Sequence, residues 1–249
     1  MTRLIEFEFP YDDVYLKPIS DTHIGDERFA EDKLQEDVDW IAKEPNRITL
    51  LNGDIMNCAT IRSVSNTYQS AMTPRQELHY SRKIFKPIAD KVIAINEGNH
   101  ERRISKDVSL DPTEELAFYL NSYYGKEGTF IKLKVGKNKP QIYTIYATHG
   151  FTGSRTVGGK ANRLAKLQQN AVVDAFIISH SHQKIMFPKK IFVPDIRTNK
   201  VNEMKQMFLN TGAYLKWGGY AESKAYPPSE LGSSVLVFSG TDKEISGLI

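Results

Sequence analysis

Apolar runs alternate with amphipathic stretches through the first half of the chain. Three short apolar runs, at residues 14–19, 48–51 and 91–95, predict strands. Residues 31–42 place apolar side chains on one helical face, and the pairs Thr73-Pro74 and Asp111-Pro112 predict helix starts. We expect these two helices to run toward Asp90 and Leu120. The order of strand, loop and helix predicts a sheet with parallel strands.

The second half of the chain is richer in strand-like patterns. One helix, Gly159–Val173, interrupts a series of predicted strands at 130–135, 141–147, 176–179, 184–193, 201–210, 234–239 and 244–249. We therefore expect a second sheet, packed on the first. No linker or repeat divides the sequence, which predicts a single domain over residues 1–249.

Polar side chains of the kinds that bind metals follow five of these strands directly. They include five of the six histidines, and His79 is the exception. In chain order they are Asp21, His23, Asp54, Asn99, His100, His149, His180 and His182. Sites in α/β proteins form where the carboxyl ends of strands meet, so these side chains are expected to converge there. Alternate residues of an extended chain point the same way, so Asp-x-His and His-x-His can each aim at one point.

The number of candidate ligands favours two metal ions over one. A lone histidine at a strand end is usually a hydrogen-bonded surface residue, but five in this arrangement favour a metal site. One tetrahedral site needs about four ligands. Seven candidates, with one carboxylate shared, suit two ions that bind a phosphoryl group and activate a water. His100 is then a spare imidazole, which could give a proton or hydrogen bond to the leaving oxygen.

The short motifs DTH, GD, GNHE, HG and HSH, in this order from Asp21 to His182, resemble the five motifs of the calcineurin-like metallophosphoesterase superfamily. The resemblance implies an α/β fold, a four-layer αββα sandwich of two mixed sheets flanked by helices. It also implies a two-metal site at the rim of the sandwich. Gly53-Asp54-Ile-Met-Asn57 departs from the family's GDxxD, and Ser179-His-Ser-His182 departs from its GHTH. Neither departure removes a ligand position.

The resemblance assigns a role to each candidate residue. One ion is held by Asp21, His23, Asp54 and His182, and the other by Asp54, Asn99, His149 and His180. Asp54 bridges the ions, His100 is the catalytic histidine, and Glu101 supports the ligands. A metal-bridging hydroxide then attacks phosphorus. Mn²⁺ is expected, with Fe, Zn and Ni as alternatives.

The substrate class is less constrained than the metal site. Ser20–Gly25, SDTHIG, resembles the opening of the repair-exonuclease and phosphodiesterase branches, and the arginine-bearing signature of the family's protein phosphatases is absent. We therefore expect a phosphodiesterase or nuclease acting on DNA, RNA or a nucleotide. A phosphomonoesterase is the alternative within enzymes. A non-catalytic scaffold of the same fold is the alternative from another class.

Three arginines are candidate substrate contacts: Arg102, Arg103 and Arg155. The first two follow His100, where they could equally be the solvated start of a helix. Arg155 lies in the glycine-rich stretch 150–159, which leads into a helix with Lys160, Arg163 and Lys166 and could hold phosphate oxygens or be a flexible loop. Two other segments also allow two interpretations. Tyr214, Trp217, Tyr220 and Tyr226 could stack bases or cover the sheet edge, and residues 58–75, with Arg62, could form a lid or an irregular connection.

Composition adds few constraints. The 249 residues are 40% hydrophobic and 25% charged, with a net charge of +3, which permits a nucleic-acid partner without requiring one. Cys58 is the one cysteine, so no internal disulfide can form. We expect no signal peptide, no membrane span and a cytoplasmic location. The sequence predicts neither the oligomeric state nor the natural substrate.

Overall fold

In a computed structural model of the chain, two mixed six-stranded sheets pack face to face with helices on both outer faces. The structure describes residues 3–61, 63, 70–151, 154, 156–219, 222 and 227–249. Sheet I has the strand order β12-β11-β2-β3-β4-β5, with β2 Asp13–Leu16, β3 Arg47–Asn52, β4 Val92–Asn96, β5 Tyr123–Gly125, β11 Val235–Ser239 and β12 Ile245–Leu248. Sheet II has the order β1-β6-β7-β8-β10-β9, with β1 Leu4–Phe9, β6 Thr129–Val135, β7 Gln141–Thr148, β8 Ala175–Ile178, β9 Ile185–Asp195 and β10 Lys200–Asn210.

The described residues form five α-helices, which cover the two sheets unequally. They are α1 Glu31–Lys43, α2 Pro74–Phe85, α3 Glu101–Val108, α4 Pro112–Tyr119 and α5 Val157–Lys166. One buried cluster lies between the sheets, a second joins α1, α2 and α4 to sheet I, and a third joins α5 to sheet II. Three apolar interfaces make four layers, which confirms the predicted αββα sandwich. Within the part of the chain that is described, every helix is too short or too polar to cross a membrane.

The two sheets do not divide the chain into halves as the sequence predicted. Strands β2, β3 and β4 are parallel, as expected, and β5, which was not predicted, pairs parallel to β4. Strands β11 and β12 from the end of the chain add to sheet I in antiparallel pairing. Strand β1, which was not predicted, joins sheet II parallel to β6. Its LIEFEF sequence alternates from Ile5 onward, and Glu6 pairs with Lys132 and Lys134 on β6, at 2.7 and 2.5 Å. An edge strand can form from such alternating residues and does not need a long apolar run.

Two helices end earlier than the sequence predicted, and two short elements were missed. Helix α2 ends at Phe85, and a 3₁₀ helix, Lys86–Lys91, continues the chain because Pro87 has no N–H to extend the α-helical ladder. The predicted helix Gly159–Val173 instead runs from Val157 to Lys166, since Thr156 caps it by accepting from the N–H of Gly159, and a 3₁₀ turn follows. Strand β5 and helix α3 carry too little apolar periodicity to be recognised.

Candidate metal centre

The candidate ligands meet at one rim of the sandwich, where strands of both sheets end. The loops after β2, β3 and β4 of sheet I and after β7 and β8 of sheet II carry Asp21, His23, Asp54, Asn99, His100, His149, His180 and His182. Because β2, β3 and β4 are parallel, and β7 and β8 are parallel, their carboxyl ends reach the same edge. The structure therefore brings all eight side chains together.

Three overlapping groups of these side chains could each hold a metal ion, because their ligand atoms lie within 4.8 Å of one another. The groups are Asp21, His23 and His182; His23, Asp54 and His100; and Asp54, His149 and His180. Asp54 belongs to two of them. Its Oδ2 lies 3.2 Å from His149 Nε2, which is also 3.2 Å from Oδ1 of Asn99. The individual ligand roles remain predictions.

One buried atom at the rim, His180 Nδ1, has no hydrogen-bond partner among the described residues, and Asp21 Oδ1 makes no hydrogen bond there although His182 Nε2 lies 3.2 Å away. Asp21 Oδ2, in contrast, accepts from the hydroxyl of Ser20 at 2.7 Å and from the backbone N–H of His180 at 3.1 Å. Nε2 atoms of His23 and His182 face each other at 3.2 Å. A buried polar atom without a partner costs about 1–3 kcal/mol, so these atoms fit a site built for cations.

The backbone at the rim is strained at several of the candidate ligands. Five candidate ligands have left-handed φ angles between 46° and 70°: Asp21, His23, Asp54, His180 and His182. This conformation costs about 1–2 kcal/mol for a residue with a Cβ. Strain of this kind persists where surrounding structure enforces it, and it clusters at functional sites. Gly53, also at positive φ, is required because a Cβ there would lie 2.6 Å from Nδ1 of His149.

Electrostatics keep most of these groups in the protonation states that metal binding needs. Burial lowers the pKa of His23 and His180, so both are neutral at pH 7 and have a free lone pair. Burial also raises the pKa of Asp21, but its contact with His182 and the charge of His149 outweigh that effect and bring the pKa to about 2. His149 differs, since the adjacent Asp54 overcomes burial and raises its pKa to about 10. A bound cation would compete with that proton.

Buried polar side chains orient the ligands from beneath. His149 Nδ1 donates to the carbonyl of Asn52 at 2.8 Å, which directs Nε2 at the centre. The amide of Asn52 donates to the carbonyl of Thr148 and to the hydroxyl of Ser179, at 2.9 and 2.6 Å, and so ties sheet I to sheet II. Asn96 on β4 donates to Asn52 Oδ1 at 2.7 Å. Both asparagines end apolar strands, and a polar residue at that position is the sequence feature that indicates their supporting role.

Glu101 supports the sheet I loops and is not itself among the grouped ligands. It is fully buried, and its carboxylate accepts from the backbone N–H groups of Met56, Asp54 and Gly98 at 2.8, 3.1 and 3.2 Å. Burial, with the nearby charge of Asp54, raises its pKa to about 8. The predicted supporting role agrees with these contacts.

The ring of His100 is oriented toward Asp54. Its Nδ1 donates to the carbonyl of Asn57 at 2.8 Å, and Nε2 lies 3.8 Å from Asp54 Oδ2. Because Nδ1 holds the proton of the neutral ring, only the imidazolium form can donate from Nε2. Burial lowers the pKa of His100, whereas the charge of Asp54 opposes that shift.

The loop carrying His180 and His182 is held by donors that sequence reasoning missed. Lys160 on α5 is 7% exposed, and its Nζ donates to the carbonyl of Ser181 at 3.0 Å. Asn210, at the end of β10, donates to the hydroxyl of Ser181 at 2.6 Å and to the carbonyl of Gln183. A buried lysine on a glycine-rich helix start cannot be distinguished in sequence from an exposed one.

The predicted substrate contacts differ in their surroundings. Arg102 Nε donates to Glu97 Oε2 at 2.8 Å, and Nη2 lies 3.3 Å from Glu127 Oε2, so two carboxylates already engage this guanidinium. Arg103 donates to the hydroxyl of Ser63 at 3.4 Å, and its charge contributes to lowering the pKa of His100. Arg155 lies outside the described residues. These three assignments stay predictions.

The aromatic segment and the proposed lid are only partly described. Tyr214 is buried, and its hydroxyl donates to Asp37 Oδ2 at 2.8 Å, which places it in the core and not on a base-stacking surface. Trp217 is about half exposed. Tyr220, Tyr226 and Arg62 lie outside the described residues, so the predictions that involve them stand as made.

Comparison with known proteins identifies the family. The model of the calcineurin-like phosphoesterase family matches residues 19–184, which is well over half of the chain. The chain therefore belongs to the calcineurin-like phosphoesterases, a family that binds divalent metals. No match is found among curated proteins.

Several solved structures are similar to this chain at low sequence identity and low TM-score. A predicted phosphoesterase from Streptococcus pneumoniae TIGR4 is 12% identical, with a TM-score of 0.40, and the alignment covers 95% of this chain and 89% of that one. A Pseudomonas putida nuclease MPE is 12% identical at a TM-score of 0.39, covering 94% and 87%. A metallophosphoesterase from Sphaerobacter thermophilus is 13% identical at 0.41, covering 94% and 87%.

Proposed function

We propose that this protein is a two-metal phosphodiesterase that acts on nucleic acid or a nucleotide, as one catalytic domain over residues 1–249. The observation that supports it most directly is the pair of groups Asp21, His23, His182 and Asp54, His149, His180 at one rim, each able to hold an ion. Asn99 would complete the second group, and Asp54 would be shared. Bound divalent ions, with Mn²⁺ as the first candidate, would supply an activated water and neutralise charge on the phosphoryl group.

The protein's own residues have separable tasks in this proposal. Asp54 and the histidines position the ions, while Glu101 and Asn52 hold those ligands in place through backbone N–H groups and His149. His100, with Nδ1 fixed on the Asn57 carbonyl, presents Nε2 to the leaving oxygen and donates from its imidazolium form.

The choice of a phosphodiester over a monoester rests on the SDTHIG opening from Ser20 to Gly25 and on the absent phosphatase signature. A phosphomonoesterase would use the same rim. A scaffold that had lost catalysis would have little reason to retain strained ligand loops and His100.

The test compares hydrolysis of bis(4-nitrophenyl) phosphate and 4-nitrophenyl phosphate with Mn²⁺ by wild type, His100→Ala and His79→Ala. His79 is an exposed histidine on α2 and serves as the matched control. We expect diester turnover that falls by about 10²–10⁴-fold in His100→Ala and is unchanged in His79→Ala. Turnover of the monoester alone would contradict the phosphodiester substrate and favour a phosphomonoesterase. Dialysed wild type that retains no metal and hydrolyses neither ester would favour the scaffold.

A further inference from the structure

The outer face of sheet II carries a second, non-catalytic binding surface. We infer that it holds one strand of nucleic acid through its phosphates and leads that strand to the metal rim. This α5–β9 surface consists of Asn162, Arg163, Lys166, Gln168, Gln169 and Lys189. The inference rests on the proposed function, because it assigns a polymeric substrate to the same site.

Charge is distributed very unevenly along the chain. Residues 128–194 contain eleven lysines and arginines but a single acidic residue, Asp174, whereas the whole chain has 33 basic and 30 acidic residues. Asp174 is buried, accepts from the backbone N–H of Thr144 at 2.7 Å and pairs with Lys243 at 2.7 Å. The basic segment is therefore not neutralised from within, and the rest of the chain is net acidic. A mild net charge of +3 hides this asymmetry.

The cations of the α5–β9 surface make no ion pair with the residues that the structure describes. Among the described residues, neither Arg163 nor Lys166 has an acidic partner, and Lys189 Nζ donates to the neutral amide oxygen of Gln168 at 2.5 Å. Lys132 and Lys134, on the same face of sheet II, are instead neutralised by Glu6. Unpaired basic side chains beside neutral amides are what a phosphate backbone requires.

The surface forms a shallow groove that is open to solvent. A cavity of about 630 Å³ lies between α5 and β9, lined by Asn162, Lys166, Gln168, Gln169 and Lys189 among others. Gln168 is oriented by its bond to Gln206 Oε1 at 2.9 Å. The amides provide donors for phosphate oxygens, and Arg163, one helical turn before Lys166, stands on the flank of the groove.

Helix α5 connects this groove to the rim. Lys160 in its first turns donates to the carbonyl of Ser181, between His180 and His182. At 1.5 Å per residue, Arg163 and Lys166 lie about 5 and 9 Å further along the axis. Successive phosphates of a stacked strand are spaced by about 3.4 Å along its axis, so Arg163 and Lys166 would meet successive phosphates beyond the one nearest Lys160. A diester with no flanking nucleotides would not reach them.

The binding test uses metal-free full-length protein, which cannot cleave. Labelled single strands of DNA and of RNA, about twelve nucleotides long, are titrated by fluorescence anisotropy at several salt concentrations. We expect Arg163→Ala/Lys166→Ala/Lys189→Ala to bind at least about tenfold more weakly at low salt. Because this variant lacks three phosphate-binding cations, the slope of log K against log salt should become shallower by about 2.

The matched control removes three exposed lysines from the opposite end of sheet II, as Lys137→Ala/Lys139→Ala/Lys200→Ala. It makes the same change in net charge and should leave binding within about twofold of wild type. Equal losses of affinity in both triple variants, or no loss in the first, would overturn the inference. Equally tight binding of an acidic polypeptide, abolished in the same variant, would also overturn it in favour of a protein partner.

Kinetics separate this inference from the proposed function. With Mn²⁺, the first triple variant should lose about tenfold in kcat/KM on the oligonucleotide but not on bis(4-nitrophenyl) phosphate. If wild type hydrolyses the small diester but binds no strand, the inference about the α5–β9 surface is wrong and the catalytic proposal stands. If strand binding weakens as expected in the variant but no diester is hydrolysed, the inference about the α5–β9 surface is supported and the catalytic proposal is wrong.

Discussion

The two sheets fix their halves of the rim with side chains of opposite hydrogen-bonding character. In the sheet I half, backbone N–H groups converge on a buried acceptor, the carboxylate of Glu101. In the sheet II half, the loop between β8 and β9 turns backbone carbonyls toward buried donors, the amine of Lys160 and the amide of Asn210. Each loop must satisfy the backbone groups that its strained conformation directs inward.

The difference predicts different sensitivities for the two halves. The Glu101 carboxyl, with a pKa of about 8, changes its charge near neutral pH. In the sheet II half, the Asn210 amide does not titrate, and burial lowers the pKa of the Lys160 amine from an ordinary value of 10.5. The sheet I half, which also contains both candidate carboxylate ligands, should therefore respond to pH and to loss of negative charge. The sheet II half should respond mainly to loss of geometry.

Asp54→Asn should cause the largest loss, because Asp54 is the carboxylate that belongs to two of the groups and the residue proposed to be shared by the two ions. We expect roughly a 10³-fold loss of diester hydrolysis, about 4 kcal/mol of transition-state stabilisation. Metal content should fall below one ion per chain. In comparison, His180→Ala removes a sheet II residue that belongs to one group and should leave about one ion.

Both values come from metal analysis after dialysis and from kcat/KM with saturating Mn²⁺. Asp39→Asn, an exposed aspartate on α1, is the charge-matched control. If Asp54→Asn kept two ions and near-normal activity, the shared role of Asp54 would be wrong.

Glu77 tests the pH sensitivity of the sheet I half through stability. This buried glutamate on α2 accepts from the backbone N–H of Cys58 at 2.7 Å, and burial raises its pKa from 4.5 to about 7. The folded state therefore keeps a proton that the unfolded state releases above pH 4.5. Its contribution to stability, full below pH 4.5, should be lost as pH rises through about 7, by an amount on the order of 1–3 kcal/mol.

Urea unfolding of the metal-free protein between pH 5 and 8 measures this slope. Glu77→Gln keeps an acceptor for Cys58 without a titrating group, so its stability should be flatter with pH than that of wild type. Parallel pH profiles for the two proteins would contradict the shifted pKa.

Glu101→Gln tests the support of the sheet I half at the rim itself. Both carboxylate oxygens accept backbone N–H bonds, so the amide of glutamine must face at least one N–H donor. We expect a loss of about 10–100-fold in activity or metal affinity, which is typical when a residue behind the ligands is changed. Metal titration and kcat/KM report it. An unaffected variant would mean that the Asp54 loop holds its conformation without this carboxylate.

The sequence predicted the rim better than it predicted the architecture around it. Strand ends followed by Asp, Asn or His are local features, and parallel pairing brings them together whatever the order of the strands. The placement of β1 in sheet II, and of β11 and β12 in sheet I, depends on long-range pairing, which no local pattern encodes. Supporting residues such as Lys160 and Asn210 were missed for the same reason, since their partners are distant backbone carbonyls.

Lys160→Met gives the smallest expected effect and tests the sheet II half. Methionine keeps the apolar packing of the buried stem but removes the donor to the Ser181 carbonyl. Asn210 still holds the same loop through the Ser181 hydroxyl, so the loop should loosen without collapsing. We expect a fall in metal affinity of about threefold to tenfold, near 1 kcal/mol, with little dependence on pH.

Calorimetric titration of metal-free protein with Mn²⁺ at pH 6 and pH 8 measures that effect independently of turnover. Lys43→Met, an exposed lysine at the end of α1, controls for the loss of a positive charge. A pH-independent loss in Lys160→Met beside a pH-dependent one in Glu101→Gln would establish that the two halves are fixed by opposite means. Similar pH profiles for the two variants would instead mean that the centre responds as one unit, because the ligands themselves would then dominate its titration.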